Sequence, residues 1–351
     1  MRQEMFKGAI VGCGAVANHT HIPAWKSSKD VDIVAACDAN EGAARKTAQR
    51  WRIPKIYTDL SRLLNDEKLD FIDICTTPMT HFELATQAIK AGVHVVVEKP
   101  MTTNLEEAAE MVSEARKHNI KVCVIHNLLF SPVIQQAKRM MNSGAIGDIL
   151  NVDIDFCSHA SRHLMQKDHW CHDPSLPGGL FHEIAPHASY LAIAFLGEIG
   201  FTSAVARKYS DYQWIRADEL KVLLKGEHGM GSFKTSYNAP RDFLTLNIYG
   251  TKGFVFIDHM TQVLTCRWPR STTLPGFFMD RVDLIKPVLA SAAYSTAYRI
   301  RGKVRNRSGH DVIIHKFIES MLNDTEPPVT GEDGLKVVQL LNEIWKQLGE
   351  I

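Results

Sequence analysis

The sequence predicts an α/β domain on a parallel sheet over residues 1–125, followed by an α+β domain for substrate and oligomer contacts with a mainly antiparallel sheet over residues 126–351, its last helix free to pack back on the first domain. Short β-prone runs alternate with longer stretches of helical periodicity through the first domain, the repeated βα order of a parallel sheet. Several of those runs are almost continuously apolar, as strands covered on both faces must be. After Pro132 a helical stretch gives way to runs of period two, and short turns join them.

In the first domain, strands are expected at residues 8–11, 31–37, 71–76, 93–97 and 121–125. Helical spacing fills residues 40–49, 60–64, 81–91 and 105–118, and Asn104, ahead of Glu106 and Glu107, is placed to cap the last of them. The second domain opens with a helix over 133–142. A half-buried strand follows, with Val152, Ile154 and Phe156 on one face and Asp153 and Asp155 on the other. Further strands are expected at 204–209, 219–224, 231–237, 244–249, 253–257 and 263–267, then helices at 311–323 and 334–348 around a turn-rich break at 325–331. In the last helix Val337, Val338, Leu341 and Ile344 share a face.

Composition narrows the function classes. With 45% hydrophobic and 23% charged residues, the 351-residue chain is neither disordered, collagenous nor a coiled coil. Forty basic against 39 acidic side chains give a net charge of +1, so no general attraction to nucleic acid or anionic lipid is expected. The basic cluster Arg299, Arg301, Lys303, Arg305 and Arg307 is the local exception, read as a solvated face or oligomer contact, with a phosphate-bearing ligand as the alternative. Seven cysteines, odd in number and without a CxxC pair, argue against a disulfide framework or structural zinc. No apolar run reaches the roughly 18 residues of a membrane span, and the N-terminal stretch lacks the pattern of an export signal. A cytoplasmic location is therefore expected.

The segment GAIVGCGAVA at residues 8–17 carries the first chemistry. Gly12 permits a tight turn after the first strand, Gly14 leaves room for a pyrophosphate, and Ala17 lets the next helix approach. Ala15 and Val16 complete this loop, whose N–H donors form an anion cradle at a helix start. Asp38, ending the second strand, is suited to ribose hydroxyls and repels a 2′-phosphate, so NAD is expected over NADP. Asn40 and Arg45 leave room for a modified ribose contact. Thr76, Thr77 and Pro78 end another strand at the same crevice. His81 reads either as a ligand contact or as a helix-end packing residue. Glu98 and Lys99 follow a third strand, at the edge where open parallel sheets bind ligands.

GCGAVA, together with EKP at Glu98 to Pro100 and GGLFHEIAPH at Gly178 to His187, resembles the glucose-fructose oxidoreductase, inositol dehydrogenase and rhizopine catabolism family, Gfo/Idh/MocA. The resemblance covers nearly the whole chain. It implies a Rossmann domain followed by a domain with an open, mainly antiparallel sheet, and association into a homodimer or homotetramer. It also implies that Lys99 contacts nicotinamide and substrate, that His187 stands at the reacting carbinol, and that Glu183 occupies the position of the usual aspartate. Where a second acidic residue is common, three positions after the histidine, this sequence has Tyr190. In the crossover HNLLFSP, Asn127 matches as a cofactor-side residue and Leu129 replaces an often basic one.

The function this implies is NAD-dependent hydride transfer to or from a small polyhydroxylated substrate, a sugar, cyclitol or related hydroxy compound. His187 acts as general base for oxidation and acid for reduction, Lys99 steers the hydroxyl oxygen, and Glu183 orients the substrate or the lysine and histidine. Lys99 as proton carrier is left open, as are structural roles for His187 and Glu183. Glu98 is expected beside the cofactor, supporting local geometry rather than meeting substrate. His159, His163, His169, Trp170, His172 and His182 suggest a polar pocket, with His182 at the substrate and Trp170 stacked on a sugar ring. No compact signature joins these histidines into a catalytic metal site. Two alternatives remain: redox-neutral glycoside cleavage or elimination with retained NAD, and a non-enzymatic binding or regulatory relative.

Overall fold

The computed structural model describes residues 5–159, 164–268 and 309–349, with positions 279, 281, 282, 285, 286 and 288–290 between the last two ranges. His163 and the basic cluster from Arg299 to Arg307 lie outside the described residues. The chain divides into two units, residues 1–127 with 308–339 and residues 128–307 with 340–351.

In the first unit, β1 (Phe6–Val11), β2 (Val31–Cys37), β3 (Lys55–Tyr57), β4 (Phe71–Ile74), β5 (His94–Val97) and β6 (Val122–Val124) form one sheet in the order β3-β2-β1-β4-β5-β6. Every neighbouring pair is parallel. Ile10, Ile33, Phe71, Ile72, Val95 and Val96 are fully buried, which is why those runs read as continuously apolar. The strand order reverses between β1 and β4, opening a crevice at their carboxyl ends. A single π-turn, Ala17–His21, leads into the short α1 (Ile22–Trp25).

The helices of this unit are α2 (Glu41–Trp51), α3 (Leu60–Asp66), α4 (His81–Lys90) and α5 (Leu105–His118). Asn40, Asp59 and Asn104 cap three of them, each accepting the amide of the residue three positions on. The cap at Asn104 matches the sequence reading. The edge strand β3 was not expected, because three residues carry no readable period. Helix α8 (His310–Leu322) also belongs here: Phe317 stands 6.2 Å from the Trp25 ring and 6.3 Å from the Phe71 ring. The sequence reading placed α8 in the second domain, since a contact between rings so far apart in the chain leaves no periodic trace.

In the second unit, α6 (Pro132–Asn142) precedes a sheet of β7 (Ile149–His159), β8 (Ile199–Arg207), β9 (Glu219–Gly226), β10 (Gly229–Ser236), β11 (Asn238–Gly250), β12 (Phe254–Asp258) and β13 (Val263–Arg267). Their order is β13-β12-β11-β7-β10-β9-β8, antiparallel except where β7 meets β10. Register aligns Val222, Phe233, Ile154, Leu246, Ile257 and Leu264 on a buried face, packed by α7 (Ala185–Leu196). The opposite face carries Leu223, Ser232, Asp153 and Asn247, so period two marks one covered and one open side. The last helix, α9 (Gly331–Leu348), is shared by the division, through Gln339 in the first unit and from Leu340 in the second, and it buries Val337, Val338, Leu341 and Ile344 as its spacing predicts. None of the seven cysteines forms a disulfide. Among the described residues, no helix is long and apolar enough to cross a membrane.

Candidate functional site

The first constellation sits at the β1/β4 reversal. Gly12 has φ +92°, and a Cβ there would lie 2.7 Å from the Cys75 carbonyl carbon and the Thr76 nitrogen, so only glycine lets the two strand ends meet. A Cβ at Gly14 would meet no atom within 4 Å, leaving open space above the turn. That opening at the helix start fits a dinucleotide pyrophosphate. Ala15 is exposed and Val16 half-buried in the same turn.

Asp38 is held rigidly. One carboxylate oxygen accepts the Cys13 amide and the other the Asn40 amide, both at 2.8 Å. Each oxygen keeps a further lone pair for a ribose hydroxyl. Asn40 spends its own side chain on capping α2, and Arg45 pairs with Glu41. Beside Asp38, whose amide donates to the Tyr57 carbonyl at 3.1 Å, a cleft of about 470 Å³ is lined by Glu41, Tyr57, Thr58 and Arg62 among others.

The sequence reading missed Asn18. Its side-chain amide donates to the Cys13 carbonyl at 2.9 Å, the Gly14 carbonyl at 3.0 Å and the Thr47 hydroxyl at 2.9 Å, while its oxygen accepts from the Trp51 indole. It ties the glycine turn to α2. An asparagine four residues after Gly14 was the available signal.

Thr76 accepts a hydrogen bond from the Thr80 hydroxyl at 2.8 Å, and Pro78 is buried. His81 is fully buried, with Nδ1 2.9 Å from the Pro100 carbonyl and Nε2 3.2 Å from that of Thr76. Burial lowers its pKa, so the neutral ring donates to one carbonyl at a time. Within this unit His81 directs both ring nitrogens at backbone and braces the Thr76 and Pro100 loops.

Glu98 is buried, and its acid group accepts the Lys99 amide at 3.0 Å. Below it lies a cluster that strand periodicity concealed. His21 places Nε2 2.8 Å from Glu98 and Nδ1 2.9 Å from Asp73, and the Trp25 indole donates to Asp73 at 2.6 Å. His310 stands 3.5 Å from Glu98. Burial opposes charge on His21, but the Asp73 carboxylate wins and raises its pKa well above the ordinary value. Burial likewise opposes charge on Glu98, yet its bonds to His21 and His310 hold its pKa well below the usual range. The result is an imidazolium clamped between two carboxylates beneath the loop that carries the half-buried Lys99.

The second constellation belongs to the second unit. The segment Gly179–Glu183 forms a 3₁₀ turn into α7, leaving Glu183 and His187 half-buried. His187 Nδ1 lies 2.6 Å from the Tyr190 hydroxyl, which also accepts the Leu128 amide at 3.1 Å. The Phe156 ring, 5.7 Å away, packs against the imidazole. Burial, with Glu183 adding to it, pushes the Cys171 thiol up to about 12, so that thiol stays neutral. His182 is 1% exposed, points Nε2 at the Pro177 carbonyl and packs 5.5 Å from the Trp345 ring. Trp170 is half-buried 5.5 Å from the His169 ring, and His172 bonds the Leu164 carbonyl at 2.6 Å. His159 bonds the Ala239 carbonyl. Asn127 opens a 3₁₀ turn, Asn127–Phe130, at the end of the first unit's main segment.

Comparison with known proteins places this geometry. Residues 6–126 match the oxidoreductase family with an NAD-binding Rossmann fold, and residues 134–256 match the GFO/IDH/MocA C-terminal domain. D-apiose dehydrogenase of Paraburkholderia graminis is 37% identical over 142 residues, 40% of this chain and 38% of that protein. Oxidoreductase P35 of Formosa agariphila is 27% identical over 259 residues, 73% of this chain and 80% of that protein. The chain thus spans well under half of the first relative and four-fifths of the second. Among solved structures, levoglucosan dehydrogenase in complex with NADH and levoglucosan shares the fold at a TM-score of 0.81 and 19% identity, covering 98% of this chain and 97% of that one. The WlbA dehydrogenase of Bordetella pertussis, solved with NADH and UDP-GlcNAcA, shares it at 0.83 and 22%, covering 99% and 96%. The chain belongs to the GFO/IDH/MocA oxidoreductases, with an NAD(P)-binding Rossmann domain ahead of the family's C-terminal domain.

Proposed function

We propose that this chain is a dehydrogenase that uses NAD to interconvert a hydroxyl-bearing carbon and the corresponding carbonyl of a sugar, cyclitol or related polyhydroxy compound. The observation that carries the reading is the open Gly12 to Gly14 turn with the Asp38 carboxylate fixed beside it. A fixed anion at the end of β2 favours NAD over NADP by repelling a 2′-phosphate. The D-apiose and levoglucosan dehydrogenases support a carbohydrate substrate.

NAD, when bound, supplies the electron-accepting nicotinamide, and the chain supplies position, charge and a proton route. Gly12, Gly14, Ala15 and Val16 hold the pyrophosphate and Asp38 a ribose. Thr76, Pro78, Glu98 and Asn127 support the nicotinamide side, with His81 bracing its loops. Oxidising a carbinol removes a proton from oxygen, and Lys99, His187 and Glu183 are assigned to that oxygen and its neighbours. The Lys99 ammonium stabilises negative charge developing there. Trp170 offers an aromatic face to the substrate.

The test is near-ultraviolet NADH absorbance with excess NAD and a panel of free sugars, cyclitols, sugar acids and glycosides. Catalytic NADH accumulation with one class supports the proposal and names the class. NADH stoichiometric with enzyme, accompanied by glycoside loss, replaces it with redox-neutral turnover, and silence across the panel removes the carbohydrate assignment.

A further inference from the structure

We propose that His21, Glu98 and His310 form a binding site for a divalent transition-metal ion of the zinc class, beneath the loop that carries Lys99.

The donors come from three parts of the chain that fold into one unit: the end of the π-turn after β1, the residue directly after β5, and the start of α8. His21 Nε2 lies 2.8 Å and His310 Nε2 3.5 Å from the same Glu98 carboxylate oxygen. All three ligand atoms fall within 4.8 Å of one another. Zinc holds imidazole nitrogen and carboxylate oxygen at about 2.0–2.2 Å in a tetrahedron, which sets its donors roughly 3.3–3.5 Å apart. The His310 separation already has that value. The His21 separation reaches it by opening about half an ångström.

His21 is oriented as a zinc-binding histidine is. Its Nδ1 bonds Asp73 at 2.9 Å, and the Trp25 indole holds the same carboxylate at 2.6 Å. Such a carboxylate–histidine pair keeps a proton on Nδ1 and turns the Nε2 lone pair toward the ion. Coordination uses Nε2 of each ring and leaves Nδ1 to other partners, Asp73 in the case of His21. Charge points the same way, because Asp73 and Glu98 are both buried. A proton on His21 offsets one negative charge; a divalent ion offsets both. As the ion bonds His21, the Nε2 proton of the imidazolium passes to solvent. Two imidazoles beside one carboxylate select zinc-class ions over magnesium or calcium, which take oxygen ligands. With three protein ligands, water completes the tetrahedron. The other Glu98 oxygen accepts the Lys99 amide, so a ligated Glu98 also pins the Lys99 backbone.

The full chain without an affinity tag is stripped with a chelator and titrated with Co²⁺, whose visible bands report coordination. The wild type is expected to give a tetrahedral-type d–d band that saturates near one ion per chain, is erased by Zn²⁺ and survives excess Mg²⁺. His310→Ala, a change at the half-buried edge of the cluster, should weaken Co²⁺ binding by more than the roughly tenfold that even an orienting partner contributes. Zn²⁺ should raise the melting temperature of the wild type and leave that of His310→Ala in place. A wild type without a saturable band overturns the proposal, as does undiminished binding in His310→Ala. A thiolate-to-cobalt charge-transfer band also overturns it, by moving the ion to Cys75 beside Asp73. Should His310→Ala fail to fold, His310→Gln, closer in size, is measured in its place against the same expectations.

Discussion

Substituting Gly12 and Gly14 by alanine separates folding from binding, because the added methyl meets different surroundings. At Gly12 it collides with the β4 end, so Gly12→Ala should lower both thermal stability and nucleotide affinity. At Gly14 it meets no protein atom, so Gly14→Ala should melt like wild type yet bind NADH at least about tenfold more weakly, about 1.4 kcal/mol. NADH fluorescence titration beside a thermal melt checks both, and unchanged affinity in Gly14→Ala would remove the pyrophosphate from this turn. For the chemistry, Lys99→Met should lower kcat by about 10²–10³-fold as a lost positive charge at the substrate oxygen. His187→Asn should lower it by about 10²–10⁴-fold as a lost proton carrier. NADH affinity of His187→Asn should stay near wild type, and a loss there would move His187 to the cofactor.

Helix α8 is the element whose place in the fold depends most on distant partners. Its buried Ile313, Ile314 and Phe317 join the first unit, and Phe317 fills the edge of a ring cluster with Trp25 and Phe71. Phe317→Ala should cost about 3–5 kcal/mol, the range for a large aromatic truncated in a packed core. Denaturant unfolding followed by intrinsic tryptophan fluorescence is the measurement, and a change below about 1 kcal/mol would show a site able to collapse. Such pairing explains which elements were legible. Strands β1, β2 and β4 announced themselves by apolar runs, and α5 by its cap and period. The three-residue β3 has no run to count, and its pairing with β2 supplies what the sequence lacks.

Across the whole molecule, charge buried under the Lys99 loop makes stability depend on pH in a definite direction. The raised pKa of His21 contributes stability that is complete below about 6.5 and lost as pH rises through its higher folded value. The lowered pKa of Glu98 contributes above about 4.5 and is lost as pH falls through its lower folded value. The wild type should therefore exceed a His21→Asn variant most between about pH 4.5 and 6.5, with the gap closing toward both extremes. Melting temperatures of both proteins across a pH series test this; a constant gap would mean that His21 is uncharged in the fold. The open face of the second sheet exposes Phe201, Met230 and Tyr249 along one register row, with Leu223 and Val205 in the next two. Apolar side chains so arrayed favour self-association. Light scattering should find a dimer or tetramer, and Phe201→Glu with Leu223→Lys should shift it toward monomer; a monomeric wild type would end the idea.

The sequence by itself determined the two sheet types, the glycine turn with its acidic partner Asp38, and the order of the EKP and GGLFHEIAPH segments, because local period and spacing encode these. It did not determine which buried polar groups would meet. His21, Asp73 and Glu98 lie far apart in the chain, and Asp73 hides within an otherwise apolar strand, so their ion cluster exists only once β4 and the turn after β1 are packed. His182 reads as a substrate residue from its motif, and only the fold brings its ring to the Pro177 carbonyl and Trp345. Tyr190 read as a missing acid, and folding places its hydroxyl beside both His187 Nδ1 and the Leu128 amide. A side chain's type sets what it can donate or accept; only tertiary structure decides which partner stands within hydrogen-bonding distance.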